Sequence, residues 1–547
     1  MTPRRLAPVT LTATLLASLV GSGTGWSQAA ASAQVKTTGG VLEGVTLDEG
    51  RQRVFKGVPY AAPPVGPLRW KAPQPVVAWT GVRKADAFGA QCHQPSIFGD
   101  IVFDRPASED CLYLNLWTPA RDAEAKLPVM VWIHGGGYQA GASHEPRHDG
   151  TRLADKGVVL VTINYRLGVF GFLAHPALAG DDPRGSSGNY GLLDMIAALQ
   201  WVRDNVAAFG GDPGNVTIFG ESAGAFAVST LMAAPQARGL FHRVIGESGA
   251  PFGPSLSLAT RQASEANGEK FAASIAATTA EALRGKPAED VLAAAAKWQP
   301  WFAPSIDGVV ITEPVPATFA AGRQAKVPLL AGWNADESRA QVVLGKEPPT
   351  ATSFREQTGK RFGAAADKLL AVYAAGTDAE ALESAAALAS DLFIGYATWK
   401  WIEAHSTSGG SPVYRYLFSR KIPVRPGLIV NGRTATAEDI GARHAGEIEY
   451  VFGTLDSVKG VTWTEADRAL SDAIGTYWTN FARTGDPNGS GVPAWPRFDR
   501  DAPSATQATD PRVLRLDTTI TAVPEPDRQR FEVLDALLSA PRTGSAP

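Results

Sequence analysis

Three stretches of the chain carry nearly unbroken apolar residues: Pro128–Ile133, Val158–Asn164 and Val216–Phe219. A strand with one wet face alternates apolar and polar positions, whereas a strand covered on both faces has no need to. Between the second and third runs, Leu193, Ile196, Ala197, Gln200, Trp201 and Val206 recur near helical spacing, predicting a helix over 190–208. Gly210-Gly211-Asp212-Pro213-Gly214 is the stop signal for that helix. Strand, helix, strand is the unit of a parallel sheet covered by helices. Upstream, Gly40–Val45 suggests short antiparallel strands, and downstream Val327–Trp333 and Val413–Phe418 are further buried-strand candidates. Residues 256–300 and 352–405, rich in Ala and Leu, predict helices, as does Glu465–Arg483. The pattern predicts an α/β fold with a large, mostly parallel central sheet, and with helical insertions at about 256–325 and 345–410 over its C-terminal edge. Open sheets of this kind bind ligands at that edge.

No repeat, charge run or linker divides the 547 residues, so residues 34–547 are read as one large domain despite their number. Hydrophobic residues at 44% and charged residues at 19% describe a globular chain. The first 33 residues have a different character. Arg4 and Arg5 precede an apolar run from Leu6 to Val20, and Ala31-Ser32-Ala33 fits a cleavage site, so 1–33 is read as a signal peptide. The apolar run is shorter than a bilayer requires and is interrupted by Thr and Ser, so no stable membrane insertion is expected. The expected location is the periplasm or the external medium. Without 1–33 the chain has 49 basic and 54 acidic residues, which gives no electrostatic reason to expect nucleic acid as a partner. In an oxidising compartment the only two cysteines, Cys92 and Cys111, are expected to pair, stabilising the fold by roughly 3 kcal/mol. Two cysteines without ligand-spaced histidines cannot complete a zinc shell.

Gly220-Glu221-Ser222-Ala223-Gly224 fits G-x-S-x-G between a predicted strand and an Ala-rich helix. That setting presents a serine hydroxyl on a strained turn at a helix N-terminus, where developing negative charge is favoured. Gly246-Glu247-Ser248-Gly249-Ala250 nearly repeats the motif but has Ala in place of the second flanking Gly, so Ser248 is expected to be structural. His134-Gly135-Gly136-Gly137 follows a strand and offers consecutive backbone N–H groups for an oxyanion, with His134 itself structural. Where the chain order is Ser, acid, His, the base comes from His242, His405 or His444. His242 lies too close to Ser222, and His405 ends a helical stretch. His444, in the small-residue loop 441–446, is the best candidate. Asp336 and Glu337 follow the strand Val327–Trp333, and periodicity does not choose between these two acids.

Taken together, these motifs resemble the type-B carboxylesterase and cholinesterase family, which has the α/β-hydrolase fold. Phe55–Tyr60, Glu109–Asn115, His134–Gly137, Asn164–Arg166, Gly220–Gly224 and Gly441–Gly453 carry the likeness. The resemblance implies a triad of Ser222, Glu337 and His444, and an oxyanion hole from Gly136, Gly137 and Ala223. It also implies a Cys92–Cys111 bridge, no cofactor or metal, and a small-molecule ester as substrate. Two departures stand out. Ile101, with Phe98 and Phe103 nearby, falls where cholinesterases hold a cation-binding Trp, and Ser338 replaces a common Gly after the acid. The resemblance leaves an amidase or thioesterase with the same triad, and a non-catalytic binding protein, as alternatives. Tyr138, Phe226, Phe252, Trp298 and Trp301 are candidate pocket linings, although buried aromatics more often serve packing.

Overall fold

The computed structural model describes residues 33–47, 50–99, 101, 105–430, 433–498 and 512–539. Thirteen strands among them join in one sheet. In chain order they are β1 (Ala33–Lys36), β2 (Val41–Leu47), β3 (Gln52–Pro59), β4 (Val82–Lys84), β5 (Tyr113–Thr118), β6 (Leu127–Ile133) and β7 (Val159–Ile163). They continue as β8 (Gly211–Glu221), β9 (Arg243–Glu247), β10 (Leu329–Asn334), β11 (Val413–Phe418), β12 (Val513–Leu516) and β13 (Thr521–Val523). Side by side they run β1-β2-β3-β5-β7-β6-β8-β9-β10-β11-β12-β13, with β4 paired to β2. From β7 to β12 every pairing is parallel, while the strands at both ends pair antiparallel except β4, which runs parallel to β2.

The continuous apolar runs have a direct structural cause. Along β6, Val129, Val131 and Ile133 enter one core while Met130 and Trp132 enter the other. Each face is closed by helices. α1 (Tyr190–Asn205) and α2 (Ala223–Ala233) supply Leu192, Met195, Phe226 and Leu231 to the first core. On the second face, α5 (Glu465–Thr484) buries Leu470, Ile474, Trp478 and Phe481. A capping box of Thr464 and Asp467 starts α5, and Gly485 in the left-handed region ends it.

One boundary differs from the sequence reading. β8 begins at Gly211, inside the segment expected only to stop a helix, because Gly211 already pairs with Leu127 before a register shift restores pairing at Val216. Between β9 and β10 lie helices at Arg261–Ser274, Ala280–Arg284, Ala288–Ala295 and Val315–Ala320. Between β10 and β11, α3 (Asp378–Ser390) and α4 (Tyr396–Ser408) are joined by a π-helical turn, Asp391–Gly395. Cys92 and Cys111 form a disulfide with their Cα atoms 5.0 Å apart. No helix among the described residues is long and apolar enough to cross a membrane. Residues 1–32 of the expected leader lie outside the described residues, and Ala33 opens β1.

Candidate active site

Ser222 sits between the end of β8 and the first residue of α2, with φ 52° and ψ −122°. Such backbone angles cost a non-glycine residue about 1–3 kcal/mol and persist only where the surroundings enforce them. Here the Ser222 N–H donates to the Glu247 carbonyl (2.8 Å), and its own carbonyl accepts from Phe226 N–H (2.9 Å). Gly224 makes the tight turn possible, since a Cβ there would lie 2.0 Å from the Ile133 carbonyl oxygen. The turn therefore lies hard against the end of β6, from which the glycine loop departs.

His444 Nε2 lies 2.9 Å from Ser222 Oγ, and His444 Nδ1 lies 2.5 Å from Glu337 Oε2. The other oxygen of Glu337 accepts the Asn334 N–H at 2.7 Å. Both acids after β10 thus act on the histidine loop in different ways. Glu337 meets the imidazole, whereas Asp336 accepts the Ala442 N–H at 2.8 Å and anchors the loop backbone. The rival histidines are committed elsewhere: His242 Nδ1 accepts the Val216 N–H, and His405 Nε2 contacts the Val327 carbonyl. His134 stacks on Tyr165, and burial lowers its pKa to about 4, so it stays neutral. Ser338 has no positive φ and therefore needs no glycine; its N–H donates to Ser390 Oγ at 3.0 Å.

Gly136 and Gly137 both have positive φ, and a Cβ on Gly136 would lie 2.1 Å from the Ala140 carbonyl oxygen. The N–H groups of Gly136, Gly137 and Ala223 donate to no acceptor among the described residues. A Cβ on Gly135 would meet Ser222 Cβ at 3.2 Å, which places this loop directly over the serine.

Three buried carboxyl groups act on the imidazole, Glu337, Glu221 and Glu447, with Glu247 beside the last two; of these, sequence reasoning identified only Glu337. Glu221 approaches His444 Nε2 at 3.3 Å. Glu447 accepts from Asn334 Nδ2 (2.6 Å) and from Ser248 Oγ (3.3 Å), and Glu247 accepts from Trp478 Nε1 (2.7 Å). Burial raises Glu221 to about 8, against the pull of His444. It likewise raises Glu447 to about 7, with the Glu337 charge adding to the shift. For His444, burial disfavours the imidazolium, but 26% of its side-chain surface stays accessible, so that penalty is partial. The charges of Glu221 and Glu337 outweigh it and raise the pKa. Glu221 and His444 each favour the other's charged form. The repeated Gly-Glu-Ser was the sequence signal for Glu221 and Glu247; Glu447 lies in the Gly441–Gly453 stretch that carries the family likeness, but nothing there singled it out.

Most of the candidate aromatics pack elsewhere. Tyr138 and Phe226 are buried, Phe252 meets Phe319, and Trp298 meets Phe271. Trp301, 42% exposed, and Phe98 are the side chains closest to where a Gly137 Cβ would be, and Ile101 reaches Gly136. Phe103 lies outside the described residues.

The sequence profile of the carboxylesterase family matches residues 31–528. A fumonisin B1 esterase from Sphingopyxis macrogoltabida is 38% identical over 493 residues, covering 85% of this chain and 84% of its own. A para-nitrobenzyl esterase from Bacillus subtilis is 36% identical, over 91% and 98% of the two chains. A medium-chain fatty acyl-CoA hydrolase from Anas platyrhynchos is 35% identical over 94% of each. Among solved structures, a carboxylesterase from Geobacillus stearothermophilus superposes with a TM-score of 0.76 at 32% identity, covering 91% of this chain and 99% of that one.

Proposed function

This chain belongs to the carboxylesterase family and is a hydrolase of that type, and we propose that it cleaves small-molecule carboxylic esters through an acyl-enzyme on Ser222. The observation that carries the reading is the continuous line from Glu337 through His444 to Ser222, with contacts of 2.5 and 2.9 Å. In this mechanism His444 Nε2 takes the Ser222 proton as Oγ bonds to the ester carbonyl carbon. The oxygen that becomes negative is held by the N–H groups of Gly136, Gly137 and Ala223, each donor contributing about 3–4 kcal/mol to lowering the barrier. The C–O bond to the alcohol breaks, and the imidazolium returns the proton to the leaving oxygen. Water then attacks the acyl carbon with His444 again as base, releasing acid and free serine. Glu337 fixes the tautomer that leaves Nε2 free to accept. No step requires a metal or organic cofactor.

A complete triad, with backbone donors that have no acceptor among the described residues, argues against a purely binding role. The Anas platyrhynchos relative keeps a thioester alternative in view, and matched ester, thioester and amide substrates separate these chemistries. The leader composition and the disulfide support export. The decisive measurement is the initial rate on p-nitrophenyl esters of increasing acyl length, with Ser222→Ala as control. Turnover reduced about 10⁴-fold or more in the variant is expected; equal turnover in both proteins would refute the assignment.

A further inference from the structure

The triad leaves one freedom unexplained. While the acyl-enzyme exists, Ser222 Oγ is esterified and no longer donates to His444, so within the triad the imidazole is held only through Nδ1, and the one other polar group near it is Glu221, 3.3 Å from Nε2. A ring held by hydrogen bonds along its edge alone can still tilt away from the water it must activate. A second restraint is present in the π-helical turn between α3 and α4. Phe393 on that turn meets the His444 ring edge-to-face, with centroids 5.1 Å apart and planes at 65°. We infer that Phe393 is a positioning residue that holds the His444 imidazole against Glu337 during deacylation.

The turn is built to keep Phe393 in place. A π-turn inserts an extra residue into the helical ladder and redirects the side chains it carries. Just before it, Ser390 Oγ accepts the Ser338 N–H (3.0 Å) and contacts the Ser338 carbonyl (3.4 Å), tying the turn to the residue after Glu337. At its first residue, the buried Asp391 accepts from Tyr373 Oη (2.7 Å) and faces Arg530 Nε (3.0 Å), which fastens it to the C-terminal helix Arg528–Leu538. Gly395 closes the turn against Phe531 and Trp333. The wall behind the imidazole and the acid in front of it are therefore parts of one hydrogen-bonded body, and Phe393 itself is only partly buried.

An aromatic contact of this kind predicts a loss of about 3- to 10-fold in kcat for Phe393→Ala. Because deacylation is the step affected, the variant accumulates acyl-enzyme. It shows a burst of p-nitrophenol, and its KM falls together with kcat. Phe393→Tyr, which keeps the ring, restores both. The low-field proton resonance of the His444–Glu337 hydrogen bond provides a readout independent of turnover, and it broadens or disappears in Phe393→Ala. If that variant fails to fold, Phe393→Leu, which keeps the volume and loses the ring, is read in the same way. A raised KM with unchanged kcat and an intact resonance would make Phe393 a pocket wall only and overturn the inference. The inference rests on the esterase reading, yet the two fail separately. A wild type inert toward esters sinks that reading, while the resonance still tests the restraint.

Discussion

Two Gly-Glu-Ser turns stand side by side in this molecule. Gly220-Glu221 and Gly246-Glu247 pair in register on adjacent parallel strands, and the serine after each has positive φ, 52° at Ser222 and 59° at Ser248. Their surroundings separate them. Ser222 opens α2, keeps 8% of its surface accessible and meets an imidazole. Ser248 is wholly buried, leads into a loop and donates to Glu447 instead. The same positive-φ backbone thus carries the proposed nucleophile in one strand and a supporting hydrogen bond in the next. Access and partner decide the role; the local turn does not.

That contrast can be broken most severely at the glycine the second turn lacks. Gly224→Ala would force a Cβ into the Ile133 carbonyl, so a loss of about 1–3 kcal/mol in stability is expected, with activity down at least ~10-fold. Thermal unfolding and kcat/KM measure both, and a neutral outcome would show that the turn does not depend on this close approach. A smaller effect should follow at the second position of the motif. The base must be neutral to accept a proton, and the Glu221 charge favours its protonated form. Glu221→Gln should therefore move the acid limb of the kcat/KM–pH profile downward by about one unit. An unmoved or upward-shifted limb would mean that Glu221 does not set the basicity of His444. The smallest change belongs to the silent serine. Ser248→Ala removes one donor from Glu447, so about 1 kcal/mol of stability is expected to be lost, with kcat within roughly threefold of wild type. A loss comparable to that of Ser222→Ala would erase the distinction between the turns.

Much of this contrast could be read from the residues. The parallel strands announce themselves because burial on both faces removes polar alternation, as in Val129–Ile133, and Ala250 in place of a second flanking Gly already set Ser248 apart. Less could be read where geometry depends on distant pairing. Asp336 and Glu337 are equivalent by periodicity, so only the family resemblance pointed to Glu337, and the docking of loop 441–446 is what puts Asp336 on the backbone and Glu337 on the ring. Burial of Glu447 beside Asn334 comes from β10 meeting a segment more than a hundred residues away, which no local pattern encodes. The π-turn is similarly hidden, since Asp391–Gly395 reads as uninterrupted helix until its hydrogen bonds are seen. Among the candidate aromatics, composition favoured core packing over pocket lining, and the fold buries Tyr138 and leaves the half-exposed Trp301 beside the glycine loop.

Asp336 exchanges hydrogen bonds with Ala442 in both directions, and the Asn334 amide donates to the Arg443 carbonyl at 2.8 Å. During synthesis on the ribosome the serine and both acids emerge long before the histidine. Until residues 441–446 arrive and are clasped by the end of β10, Ser222 lacks the imidazole that the proposed mechanism gives it as base. On the proposed mechanism a partly made chain is thus chemically silent toward the esters around it, and the onset of turnover reports that residues 441–446 have been placed.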